Sequence, residues 1–144
     1  MDYRRIVVYD TGSILAGLPL RLAADNITVP GVVEEVKDRE SRSLLSMMLS
    51  IGRLRIEKPG EAALIRAREI ANKVGVLGRL SQTDLEVLAL AVEKRGMGEI
   101  LIATDDYALQ RAAVWAGIGV VRIRYSGIRE ARRRRGGGSP PRGL

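Results

Sequence analysis

The sequence predicts an α/β fold with a mostly parallel central sheet of four to five strands and helices on both faces. Three observations carry this. Short β-branched apolar runs, "IVVY" at 6–9 and "EILIAT" at 99–104, have the continuous apolar character of strands buried on both sides. Segments of helical period separate them, and strands alternating with helices build parallel sheets through crossover connections. "LSQTDLEVLALAVEKRG" (80–96) shows the period most clearly: Leu85, Leu88, Ala89 and Val92 follow i, i+3, i+4, i+7, and Gly96 stops the helix.

The remaining elements follow in order. "IVVY" is bounded by "DTGS", which turns the first strand into a helix. "VPGVVEEVKDRESRSLLSMMLSIG" (29–52) opens with Pro30 and reads as one broken helix or two. Its Met and Leu face at 43–52 suits the core or a homodimer contact, being too short and too interrupted by serine to span a membrane. "LRIEKPG" (54–60) is a more exposed strand, and "EAALIRAREIANKVG" (61–75) a helix with Ala63, Ile70, Ala71 and Val74 on one stripe. "DDYALQRAAVWAG" (105–117) is a helix ending in glycine, and "GVVRIR" (119–124) is the last strand.

Composition narrows the chemistry. The 144 residues suit one domain, 46% hydrophobic and 28% charged, which is globular in type. No secretory signal is evident, so the expected address is cytoplasmic. There is no cysteine and no histidine, which removes disulfides, thiolate or imidazole zinc sites and the Ser–His relay. Acid–base or metal chemistry then rests on Asp, Glu, Lys or Tyr. The net charge of +7 is that of residues 122–144, where eight arginines face one acid, Glu130; residues 1–121 carry 16 basic and 16 acidic groups. A domain at 1–125 followed by a flexible Arg-rich arm at 126–144 is expected. The run Arg132, Arg133, Arg134 and Arg135 suits either a solvated tail or an RNA-binding arm.

In a parallel sheet, ligands bind beyond the carboxyl ends of the strands, where the connections reverse direction. Asp10 closes the first strand, Asp105 and Asp106 close the strand 99–104, and Asp84 lies in the first turn of the helix before it. Glu35 sits about 60° from Val32 on a wheel of about 3.6 residues per turn and can look into a cleft, whereas Glu34 looks into water. Each acid also has a plain structural reading: Asp10 as a cap, Ser81 and Asp84 as a capping pair, Thr104 or Asp105 as a cap with Asp106 at the positive helix end. Three or four carboxylates converging at one sheet edge repel one another unless cations bind between them. Oxygen ligands alone suit Mg²⁺ or Mn²⁺, and the chemistry that fits is phosphodiester hydrolysis.

"VVYDTGSILAG", "TVPGVVEEVKD", "LSQTDLEVLALA" and "LIATDDYALQ", in this order, resemble the PIN-domain nucleases, and among them the Nob-type endoribonuclease of ribosome biogenesis. The resemblance covers about residues 4–123. It implies a three-layer α/β/α fold, an acidic pocket holding one or two Mg²⁺ or Mn²⁺ ions, and cleavage of single-stranded RNA, for Nob-type members at the 3′ end of small-subunit rRNA precursors. It makes Asp10, Glu35, Asp84 and Asp106 catalytic metal ligands, with Asp105 as a further metal-site acid, and Thr11, Ser13 and Thr104 the hydroxyls that orient them. Lys37, Arg39 and Arg42 are placed to hold the RNA backbone. Nob-type proteins carry a cysteine-ligated zinc ribbon after this domain, and this sequence has no cysteine. Two other readings stand beside it: a toxin-type ribonuclease of the VapC class, and a non-catalytic RNA-binding or ribosome-assembly factor. Whether Tyr107, beside the acids, packs in the core or faces the RNA is left open by the sequence.

Overall fold

The computed structural model describes residues 4–124. The basic arm expected at 126–144, with Arg132, Arg133, Arg134 and Arg135, lies outside the described residues. The chain runs β1 (Arg5–Tyr9), α1 (Thr11–Leu15), β2 (Asp25–Thr28), α2 (Pro30–Glu35), α3 (Arg39–Ser50), β3 (Arg55–Ile56), α4 (Glu61–Lys73), α5 (Gln82–Glu93), β4 (Glu99–Ala103), α6 (Tyr107–Trp115) and β5 (Gly119–Val121). All five strands are parallel, in the order β3-β2-β1-β4-β5, and helices clothe both faces of the sheet. No helix among the described residues is long and apolar enough to cross a membrane.

The central pair explains itself from the sequence. Ile6, Val7, Val8 and Tyr9 of β1 and Ile100, Leu101, Ile102 and Ala103 of β4 are buried on both sides, in register Ile6 with Ile100 through Tyr9 with Ala103. Removing each large aliphatic side chain from water stabilises the fold by about 1.5–3 kcal/mol. Helix α5 lies against both strands and against α4, with Leu85 and the whole run Val87 to Val92 buried.

The expected helix at 29–52 is two helices. Val36 is extended, and Asp38 caps α3 by accepting from the Ser41 N–H at 3.0 Å, so the chain turns there. Within α3, Leu45 and Met48 enter the core while Met47 and Ile51 stay exposed.

Strand β2 was not expected. Its buried residues include the polar Asn26 and Thr28, which hide the apolar signal. Their partners explain the burial. The Asn26 amide donates to the carbonyls of Pro19, Leu22 and Arg53 and accepts from the Tyr9 hydroxyl at 2.7 Å, and the Thr28 hydroxyl donates to the Tyr9 carbonyl. Burial holds the Tyr9 phenol far above its ordinary range. The strand expected at 54–60 is only Arg55–Ile56, and that at 119–124 only Gly119–Val121.

The connections set where a site can form. From β1 the chain moves outward to β2 and β3; it then crosses back to β4 and moves outward the other way to β5. The reversal therefore falls between the carboxyl ends of β1 and β4, the crevice where open α/β sheets bind ligands.

Candidate active site

Asp10 follows β1 directly, and its backbone N–H still donates to the Ala103 carbonyl of β4, 3.3 Å away. That bond ties it to the crevice. Its carboxylate Oδ1 accepts from the Ser13 N–H at 2.8 Å, which makes Asp10 the N-cap of α1, and the Ser13 hydroxyl donates to the Asp10 carbonyl. On β4's side, Thr104 is fully buried; its hydroxyl accepts from the Asp106 N–H and its carbonyl accepts from the Gln110 amide. Asp106 is the N-cap of α6, its Oδ1 accepting from the N–H groups of Ala108 and Leu109. Asp84 completes a capping box with Ser81 at the start of α5, its Oδ2 accepting from the Ser81 N–H while its own N–H donates to the Ser81 hydroxyl, each at 3.0 Å. Glu35 ends α2 and accepts from the Thr11 hydroxyl at 2.5 Å, which joins α2 to α1.

The two readings of each acid are thus not exclusive. The three aspartates cap helices, and each does so through one oxygen. Asp84 Oδ1 and Asp106 Oδ2 accept no hydrogen bond from the described residues.

Electrostatics tie the four acids into one group. Burial pushes the Asp10 carboxyl above its ordinary value; hydrogen bonds from Thr104 and Ser13 pull it down, and the charge of Asp84 raises it again. Asp84 is raised too, first by burial and then by the charges of Asp106 and Glu35, against the pull of Ser81. Like charges so placed destabilise one another.

Asp105 behaves differently. It is exposed, and its Oδ1 accepts from the Ile123 N–H at 2.6 Å, fastening the end of β4 to the segment after β5. It does not appear among the charges that bear on Asp84 or Asp10. Lys37, Arg39 and Arg42 are exposed beyond Glu35, with Arg42 also donating to the Val36 carbonyl.

Sequence reading missed how α2 is brought to α5. Gly31 sits where a Cβ would stand 2.7 Å from Glu86 Oε1 and 2.8 Å from Thr83 Oγ1, so any larger residue would force those α5 side chains to shift. That approach carries Glu35 towards Asp84. The signal was a lone glycine just after Pro30, which reads as ordinary helix-start chemistry. Tyr107, left open by the sequence, is exposed.

The donor set fits a hard divalent cation by chemistry, being all carboxylate and hydroxyl oxygen. As placed, no three acids among the described residues close on one point as a ligand cage does.

Comparison with known proteins shows the family. A family model described as the PIN domain of ribonuclease matches residues 7–93. The chain is 53% identical over 125 residues to Ribonuclease VapC3 of Aeropyrum pernix, an alignment covering 86% of this chain and 90% of that protein. It is 38% identical over 106 residues to Endoribonuclease Nob1 of Methanothermobacter thermautotrophicus, covering 74% of this chain and 62% of the relative. Endoribonuclease Nob1 of Pyrococcus abyssi is 38% identical over 112 residues, covering 78% and 65%. The chain spans less than two thirds of the length of either Nob1 relative.

Proposed function

The chain belongs to the PIN-domain ribonucleases, and from that premise we propose that it is a divalent-metal-dependent endoribonuclease acting on single-stranded RNA. The observation that carries the reading is the coupling of Asp84 to Asp10, Asp106 and Glu35 at the reversal of the sheet. Capping accounts for one oxygen of each aspartate but not for the convergence of four carboxylates on one sheet edge, which a cation between them would relieve.

In this reading Asp10, Asp84, Asp106 and Glu35 hold Mg²⁺ or Mn²⁺. Asp84 Oδ1 and Asp106 Oδ2, which accept no hydrogen bond from the described residues, would be oxygens available to the ion. When bound, the ion would ease loss of a proton from a water to solvent, so that the water oxygen attacks phosphorus as the P–O bond to the leaving oxygen breaks, and would neutralise charge on the scissile phosphate. Ser13 and Thr104 hold the Asp10 and Asp106 loops, and Thr11 steadies Glu35 between turnovers. Asp105 is a clamp on the adjoining loop, not a direct ligand. Lys37, Arg39 and Arg42 face the sugar–phosphate chain as it enters. The chain has neither Cys nor His, so direct attack by water fits better than a covalent intermediate on either residue.

Two RNA targets are supported by different observations. The likeness to the Nob1 endoribonucleases supports processing at the 3′ end of small-subunit rRNA precursors. The VapC3 likeness extends over 90% of that relative's length and supports a ribonuclease of the toxin type. The test is cleavage, with Mn²⁺, of a short single-stranded RNA spanning the small-subunit rRNA 3′ end, beside an unrelated single strand, by wild type and Asp10→Asn. Cutting at one position in the first RNA only selects the rRNA role; comparable cutting of both selects the toxin type. Binding without cutting by folded protein overturns the enzymatic reading.

A further inference from the structure

Helix α6 runs from the acid cluster with one face that the nuclease chemistry does not use. Its buried side is Ala108, Leu109, Ala112 and Ala113, continued by Ala116. Its outer side is Tyr107, Arg111, Val114 and Trp115, with Tyr107 60% and Trp115 50% exposed. At about 100° per residue, Arg111 lies roughly 40° and Trp115 roughly 80° round from Tyr107, so the three form one stripe. From Tyr107 to Trp115 the stripe is about 12 Å long.

The placement is selective. Among the described residues the aromatic side chains are Tyr9, Tyr107 and Trp115; Tyr9 is buried in the sheet, and both exposed ones stand on this single face. The helix contains no acid, and Arg111 has no acidic partner among the described residues. The stripe begins at Tyr107, the residue next to Asp106 in the chain.

We propose that this face is a track for single-stranded RNA, which stacks one base on Tyr107 beside the acids and a second on Trp115, with Arg111 on a phosphate between them. The inference rests on the ribonuclease reading and adds to it where the strand lies. Flat aromatic faces separated by a cation match the alternation of bases and phosphates in an unpaired strand. Stacking is tolerant of sequence, so the track holds the strand in register without choosing bases. A second copy of the chain fits the same face poorly. Across a two-fold axis through α6, Arg111 would meet its own copy with no acid on the helix to answer it.

The chain's single tryptophan makes the test direct. Full-length protein is titrated with a short single-stranded oligoadenylate in chelator, so that the RNA stays intact, while Trp115 emission and RNA anisotropy are followed. Quenching of Trp115, with roughly tenfold weaker binding by Tyr107→Ala and by Trp115→Ala and near-normal binding by Tyr107→Phe, supports the track. Arg111→Gln then lowers the slope of log affinity against log salt by about 0.7. If wild type binds and cuts RNA while both alanine variants bind equally well and Trp115 emission is unmoved, the track is wrong and the nuclease reading stands. If wild type neither binds nor cuts, that reading falls and the track with it. If Trp115→Ala converts a dimer to a monomer in light scattering and leaves RNA affinity alone, the face belongs to a second copy and the proposal is overturned.

Discussion

At the scale of single residues, the site uses side chains whose two oxygens have separate tasks. Asp10 caps α1 through Oδ1, and asparagine caps about as well as aspartate. Asp10→Asn is therefore expected to keep the fold while losing cleavage by on the order of 100-fold or more. Its stability moves the other way. The folded Asp10 carboxyl titrates above its ordinary value, chiefly through burial, so the stability it contributes is full at low pH and is lost as pH rises through that raised value. Asparagine removes the loss, so in chelator at neutral pH the variant should melt at or above the wild-type temperature. Melting clearly below wild type would mean that the charge itself supports the fold. The adjacent aspartates should separate cleanly: Asp106→Asn loses cleavage as Asp10→Asn does, whereas Asp105→Ala costs roughly 1 kcal/mol through the lost bond to Ile123 and keeps activity within about tenfold. Chemical denaturation and initial rates on the same preparations measure both. One helix cap needs only one of the pair. Which one faced the crevice was set by the segment after β5, a contact between residues 18 positions apart in the chain, which local pattern does not reach.

At the scale of elements, stability is stored away from the chemistry. Ser81→Ala removes the acceptor for the Asp84 N–H and should cost about 1 kcal/mol, visible as a lower denaturation midpoint with cleavage reduced only a few-fold. At the other end of the sheet a chain of ion pairs joins Arg4, Asp25, Arg55, Glu57 and Lys94 across β1, β2, β3 and the end of α5. Burial raises the Asp25 carboxyl, but the hydrogen bonds and charges of Arg55 and Arg4 outweigh it and leave the group below its usual 3.8. Stability from such a group is present above the unfolded value and lost as pH falls through the folded one. Asp25→Asn should therefore flatten the decline of melting temperature below about pH 4, and an unchanged acid limb would show the pair to be idle. The elements with one buried face and a clear period, α4, α5 and α6, were legible in the sequence to within two or three residues. Strand β2 was not, because Asn26 and Thr28 are buried by hydrogen bonds across the sheet, not by hydrophobicity.

At the scale of the whole molecule, the fold decides the site by topology. Reversal of strand order between β1 and β4 places Asp10 and Asp106 at adjoining strand ends, and α5 and α2 bring Asp84 and Glu35 from opposite sides in sequence. The strand ends could be read from the chain, and the four acids stood out there as candidates. What could not be read was the close approach of α2 to α5 over Gly31, and the gathering of the exposed aromatics on α6, because both depend on how helices pack in three dimensions. The central claim is that the four carboxylates form a divalent-cation site while the three aspartates among them cap their helices. It is tested most directly by titrating Mn²⁺ calorimetrically into wild type, Asp10→Asn and Asp106→Asn, with circular dichroism as the check on folding. The account predicts one or two ions bound by wild type and affinity at least about tenfold weaker in each folded variant. Equal Mn²⁺ affinity in all three proteins, or none in any, would contradict it and leave these aspartates as helix caps alone.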